Sequence, residues 1–362
     1  MAGEVWLLSG QSNMEWSALN NNQQAIQEAP QANDPMIRLF HIPKTTANAP
    51  QEDCPATWKV CNPEDMKRFS ALGYFFGKKL KDELQVPVGL INASWGGTAA
   101  EVWTPEEVVN GDLELKQAAQ TLGLTPWWPA NPGAAYNAMI APLTPFHISG
   151  TLWYQGESNT GQSKYYTRLF TEMITAWRKN WKQDFPFYFV QIAPFAYGPP
   201  NVGPLLREAQ TRATFLDRTG MVVISDLVDN VKDIHPQNKK DVADRLFRLA
   251  MAEHYGRKVG PYKSPEMDHF AIEGNKIRIH FKNADNGLEA RKGELQEFLI
   301  AGEERKFVKA LARIEGNTVV VSSPEIKNPV AVRFGFANES MPNLFSKDGL
   351  PVNLFRTDHW ED

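Results

Sequence analysis

Ser12 stands in Gly10-Gln11-Ser12-Asn13-Met14, directly after the apolar run Val5-Trp6-Leu7-Leu8. A small polar residue behind a glycine at the end of a buried strand is where an α/β sheet displays a nucleophile, because strand ends open into one crevice. Serine is weakly nucleophilic at neutral pH and needs a base, usually histidine, and a group that orients the base. Asp233-Ile234-His235-Pro236 offers both: it lies between the apolar run Met221 to Ser225 and a segment of helical spacing. There His235 can accept the serine proton, and Asp233 can hold the other ring nitrogen. His41, His147, His254, His269, His280 and His359 have no such setting beside an Asp. The plainer readings are that Ser12 and Asn13 cap a helix and that His235 is a surface residue.

Attack on a carbonyl also needs donors for the oxyanion. Two segments supply them. Asn92-Ala93-Ser94-Trp95-Gly96-Gly97-Thr98 follows a buried run, and its paired glycines let backbone N–H groups approach a ligand, or else simply form a tight turn. Tyr154-Gln155-Gly156-Glu157-Ser158-Asn159 ends another run and offers the amides of Gln155 and Asn159.

These residues need a scaffold. Runs at Val5 to Leu8, Ile37 to Ile42, Val88 to Ala93, Ile148 to Tyr154, Phe187 to Ile192 and Met221 to Ser225 read as strands. Between them come apolar stripes at helical spacing: Met66, Phe69, Leu72, Phe76, Leu80; then Tyr165, Leu169, Met173, Trp177; then Val242, Leu246, Leu249. This alternation predicts an α/β domain with a parallel sheet flanked by helices over residues 1–260. The Pro-, Trp- and Asn-rich stretch from Thr125 to Pro145 is too irregular for a crossover and reads as a wall of the substrate cleft.

From 261 to 362 the pattern changes to short β-forming runs: Lys276 to Phe281, Phe298 to Ala301, Lys306 to Ile314, Thr318 to Ser322 and Ala331 to Phe336. Turns at Asn286-Gly287 and Gly316-Asn317 separate some of them, predicting a β-rich accessory domain.

With 362 residues, 42% of them hydrophobic, the chain can bury a sizeable core. A net charge of -4 without a long basic run gives no reason to expect nucleic acid or an anionic membrane as partner. No run approaches the roughly 20 apolar residues of a membrane span, and no basic-then-apolar leader opens the chain. Cys54 and Cys61 are close enough for a local disulfide but poorly spaced for zinc.

Taken together the segments resemble the SGNH hydrolase superfamily, and more closely its sialate O-acetylesterase branch of carbohydrate esterases. The resemblance rests on pieces in family order: Val5 to Trp16, Phe69 to Leu80, Leu90 to Trp103, Tyr136 to Leu143, Leu152 to Asn159, Asp233 to Arg245, Gly349-Leu350-Pro351 and Phe355-Arg356-Thr357-Asp358. It implies a three-layer α/β/α domain of flavodoxin-like type with a β-rich accessory unit. The implied activity is hydrolysis of acetyl esters on sugars without metal or organic cofactor, in a periplasmic or extracellular setting. Carried over residue by residue, Ser12 matches the nucleophile and His235 the base. Gly96 or Gly97 matches the backbone oxyanion donor, and Gln155, ahead of Asn159, the side-chain donor. Gln11, Trp95, Glu157 and Asn137 fall in the same pieces and are assigned to the substrate.

The chain departs from the superfamily in having Gln11 where Asp commonly precedes the serine, and Lys232 where Asp stands three residues before the histidine. Asp233 is therefore the orienting acid, with Asp229 and Asp226 behind it. Sialic acid esters are the expected substrate, with acetylated xylan or another plant polysaccharide as the alternative. Trp16, Trp95, Trp103, Trp127 and Trp128 can wall a sugar site or pack a core, and Arg207 is a possible partner for a sialate carboxylate. Outside esterase chemistry, a non-catalytic carbohydrate-binding module is the competing reading; a lipase is a weaker one, since no apolar lid is evident.

Overall fold

The computed structural model describes residues 3–360. Its contacts divide the chain into two compact units. The first runs to Ile192 and takes in Ala209–Val222 and His235–Lys258; the second comprises Ala193–Glu208, Val223–Ile234 and the stretch from Val259 onward. A division at 260/261 thus falls two residues from the start of that last stretch, but two inner segments cluster with it.

The first unit is built on seven strands: β1 (Glu4–Gly10), β2 (Asp34–His41), β3 (Lys59–Cys61), β4 (Val88–Ser94), β5 (Gly150–Tyr154), β6 (Phe187–Val190) and β7 (Thr219–Val222). They are ordered β3-β2-β4-β1-β5-β6-β7 and pair in parallel except for β3, an antiparallel edge strand absent from the sequence reading. Every residue of β4, β5 and β6 is buried, so both faces of the sheet are covered. The chain leaves β1 toward one side of the sheet and later returns to build the other, so β1 sits where strand order reverses. Ligand crevices of open α/β sheets form at that point.

The stripe from Met66 to Leu80 is two helices, not one. Pro63–Arg68 ends at Phe69, and Ser70 caps Ala71–Leu84 by accepting from the Gly73 N–H at 3.0 Å. A serine able to satisfy an open helix end outweighs the continuity of the apolar spacing. The other two stripes lie on Ser163–Trp181 and Lys239–Glu253. Much of the aromatic content is core: Trp153 meets Trp103, Phe170, Trp177 and Phe187 with ring centroids 6.0 to 6.3 Å apart. Both cysteines are free thiols, so the local disulfide that their spacing permits is not formed. Cys61 donates to the Ala32 carbonyl, and burial pushes its thiol up to about 11.

The second unit carries antiparallel sheets, among them Glu266–Glu273, Lys276–Lys282, Leu311–Glu315 and Thr318–Ser322 in one, and Val308–Lys309, Phe298–Ala301, Ala331–Phe334 and Phe355–Arg356 in another. Ile279, Ile300, Val321 and Phe334 are among the apolar residues of its core. The run from Lys306 to Ile314 is divided at Ala310 between the two sheets. Two residues of the C-terminal piece, Arg356 and Asp358, are structural. Arg356 pairs with Glu208, and Asp358 holds the buried Arg333 guanidinium at 2.7 and 2.9 Å.

Candidate active site

Three strands end level with one another. Gly10 of β1 faces Ser94 of β4 on one side and Tyr154 of β5 on the other. The loops beyond are stitched at once: the Trp95 N–H donates to the Gly10 carbonyl at 3.0 Å, and the Gln11 N–H to the Tyr154 carbonyl at 2.9 Å. Gly10 has φ 129°, and a Cβ there would lie 2.2 Å from the Tyr154 carbonyl oxygen, so no other residue fits. The chain turns straight into the short helix Ser12–Glu15, whose first N–H groups have no partner inside the helix.

Ser12 Oγ lies 2.9 Å from His235 Nε2, across 223 residues of sequence. The loop carrying His235 is tied down independently. The Gln237 carbonyl accepts from Asn22 Nδ2 at 2.8 Å, and Asn238 caps the helix Lys239–Glu253 through the Asp241 N–H. On the face of the imidazole lies the indole of Trp16, with ring centroids 3.9 Å apart and planes 14° from parallel. The sequence leaves Trp16 as a sugar wall or a core residue; nothing local signals its contact with His235. Asp233 is exposed, in a turn where its N–H donates to the Asn230 carbonyl at 3.0 Å, and it clusters with the second unit.

Behind the nucleophile runs a buried polar chain that the sequence reading missed. Asn13 Nδ2 donates to Glu157 Oε1 at 2.6 Å, and Asn13 Oδ1 accepts from Lys239 Nζ at 2.6 Å. Burial raises the Glu157 carboxyl above its ordinary range, against the lowering effect of its hydrogen bonds and of Lys239. A second chain lies under the Gly97 loop. Asn159 Nδ2 donates to Glu101 Oε2 at 2.8 Å, and the Glu101 carboxyl is likewise raised by burial.

Of the two glycines, Gly96 is engaged: its N–H donates to Glu15 Oε2 at 2.7 Å, and Glu15 Oε1 pairs with Lys44 at 2.5 Å. Gly97 has φ 81°, and its carbonyl is held by Ser158 Oγ at 2.9 Å. The side-chain donors fare differently from expectation. Gln155 is fully buried; Nε2 donates to the Thr98 carbonyl at 3.2 Å and to Asn159 Oδ1 at 2.7 Å, so both its N–H bonds are engaged inside the protein. Gln155 and Asn159 thus brace the loop that carries Gly97.

The residues assigned to substrate also divide. Gln11 is buried, and its Oε1 accepts from the Gly156 and Ser158 N–H groups, each at 3.3 Å, joining the first and third loops. Glu157 belongs to the buried chain described above. Asn137 is buried and donates to the Ala47 carbonyl at 3.1 Å, securing the loop after β2. At these three positions Gln11 Oε1, Glu157 Oε1 and Asn137 Nδ2 are taken by protein partners, whereas Glu157 Oε2 is buried with no hydrogen-bond partner. Trp95 remains half-exposed and donates through Nε1 to the Trp127 carbonyl. Trp127 and Trp128 are exposed, and the Trp128 ring lies over Gly97. Trp103 is fully buried and leaves the list of sugar-facing rings; Arg207, offered as a partner for a sialate carboxylate, is buried in the second unit and donates to the Ala337 carbonyl. The Thr125 to Pro145 stretch contains a π-helical turn, Tyr136–Ile140.

A family model described as carbohydrate esterase, sialic acid-specific acetylesterase, matches residues 2–250. Among curated proteins, the sialate O-acetylesterases of Pongo abelii and Homo sapiens are each 32% identical over 296 residues, 73% of this chain and 55% of theirs. The chain therefore spans about half the length of these relatives. Among solved structures, a carbohydrate acetylesterase from Xanthomonas citri aligns with a TM-score of 0.89 at 37% identity, covering 99% of this chain and 81% of that one.

Proposed function

Because this chain belongs to the carbohydrate esterase family of sialic acid-specific acetylesterases, we propose that it removes acetyl groups from sugar hydroxyls by acyl transfer through Ser12. The observation that carries this reading is the 2.9 Å contact between Ser12 Oγ and His235 Nε2 at the sheet's switch point. His235 takes the serine proton as Oγ attacks the acetyl carbonyl carbon. The oxyanion is held by the N–H of Ser12 and that of Gly97, since the Gly96 N–H already serves Glu15. His235 then gives its proton to the sugar oxygen as the tetrahedral intermediate collapses and the C–O bond breaks, releasing the sugar hydroxyl and leaving acetyl-Ser12. Water, deprotonated by the same imidazole, releases acetate and restores the serine. Asp233 is the orienting acid of this proposal, and the stacked Trp16 indole fixes the ring plane.

An acetylated sialic acid is the substrate this reading favours, and acetylated xylan or a related polysaccharide the alternative. A purely binding role is disfavoured by the pairing of Ser12 with a histidine at hydrogen-bonding distance, which ligand binding alone does not require.

Acetate release from a chromogenic acetyl ester tests the proposal, comparing the unaltered chain with Ser12→Ala and His235→Ala at equal folded concentration. Both substitutions should lower kcat by at least about 1,000-fold. The unaltered chain should lose rate on the acid side as His235 becomes protonated, because an imidazolium cannot accept the proton. An undiminished Ser12→Ala protein would return the binding reading to the front.

A further inference from the structure

Lys239 opens the helix Lys239–Glu253 and is 1% exposed, a placement that is unfavourable twice over. An ammonium at the first residue of a helix opposes the positive end of the helix dipole. Burying it adds a desolvation penalty that a carboxylate partner rarely offsets in full, and apolar residues of similar volume in place of such a pair commonly leave a protein as stable or more so. Stability therefore does not account for a lysine here. Its contacts point elsewhere: Lys239 Nζ donates to Asn13 Oδ1, beside the nucleophile, at 2.6 Å, with the Tyr154 ring centroid 5.3 Å from the same atom.

The chemistry of the partners fixes the Asn13 amide. An ammonium has donors and no acceptor, so it meets the amide through Oδ1, and this turns Nδ2 toward Glu157 Oε1 at 2.6 Å. A flipped amide would set donor against donor at one end. The three residues belong to the three segments that must meet for acyl transfer. Asn13 follows Ser12; Lys239 follows His235 by four residues; Glu157 stands between Gly156 and Ser158, whose N–H groups hold Gln11 Oε1. Ser12 thus lies between two residues whose side chains are tied to other loops, while its own Oγ meets His235 Nε2 at 2.9 Å.

We propose that Lys239 is a positioning residue for the reaction: through Asn13, its ammonium locks the Ser12 turn to the segment that carries His235 and so keeps Oγ and Nε2 at hydrogen-bonding distance. Glu157 holds the other end of the same amide. The inference rests on the esterase reading for the reaction that this alignment serves.

Two readouts decide it: turnover of a small acetyl ester, and the rate at which a fluorophosphonate labels Ser12, which needs neither a sugar nor ester hydrolysis. Both are taken per folded molecule. Lys239→Met should lower kcat and the labelling rate together about 100-fold, the cost of a misplacement near 1 Å, with KM within about twofold. Lys239→Gln, which keeps a donor for Asn13 Oδ1, should recover part of the loss. Lys239→Met combined with Asn13→Ala should be no slower than Asn13→Ala alone, because both changes break one contact. Lys239→Met combined with Glu157→Gln removes both buried charges; it should melt no lower than the unaltered chain and remain slow, which keeps the test open should Lys239→Met alone fail to fold. Labelling at the unaltered rate in the folded variants, or losses that multiply when Asn13→Ala is added, would make Lys239 a structural residue and overturn the proposal. A chain that releases no acetate from any ester overturns the esterase reading instead, and the labelling rates still decide the part played by Lys239.

Discussion

The Trp16 indole lies flat against the His235 imidazole, 3.9 Å between centroids, although the two residues come from opposite ends of the first unit's sequence. The contact fixes the plane of the ring whose Nε2 meets Ser12, and an aromatic face is a favourable neighbour for the imidazolium formed during attack. Trp16→Ala should therefore lower kcat about 10- to 100-fold, and Trp16→Phe should recover part of the loss. Kinetics on a small acetyl ester, which has no sugar to stack, check this. Loss confined to KM on sugar esters would mean that Trp16 acts as a sugar wall instead.

Gly97 supplies the second proposed oxyanion donor, and its backbone admits little else. At φ 81° an alanine costs about 1–2 kcal/mol, and its Cβ would lie 2.4 Å from the Trp128 ring. Trp128 is partly exposed and can move aside, so the fold should survive while the N–H shifts. Gly97→Ala should lower kcat about 100-fold with an unchanged far-ultraviolet spectrum. Unaltered turnover would remove Gly97 from the mechanism.

Glu101 gives stability a pH dependence of definite sign. Burial raises its carboxyl above 4.5, outweighing the hydrogen bond from Asn159. The folded state then holds a proton that the unfolded chain releases first, so Glu101 lowers stability as pH rises from about 4.5 through the raised value. Glu101→Gln keeps an acceptor for Asn159 and removes the titration. Urea midpoints of the two proteins should diverge upward from pH 4.5, with the variant gaining on the unaltered chain. Parallel curves would show that Glu101 ionises no differently when folded.

The sequence by itself determined most strands of the first unit, though not its edge strand β3. Alternating apolar runs and helical stripes are local patterns, and β1, β4 and β5 lie within two residues of where those patterns put them. Short-range chemistry also marked the loops after those strands, because a glycine before a serine or a pair of glycines serves a backbone need visible in a few residues. It misjudged the helix Ala71–Leu84, where the capping serine that interrupts the apolar stripe was overlooked. Only the tertiary structure decided which polar groups are available. The N–H of Gly96 and the amides of Gln11, Gln155 and Asn137 are all of the right type for a ligand, and each is matched by a protein partner elsewhere in the chain. The contacts of His235 with Ser12 and of Lys239 with Asn13 span more than two hundred residues. Hydrogen-bond partners at such separations are selected by packing, through the requirement that buried polar atoms be satisfied, and no local pattern encodes that choice.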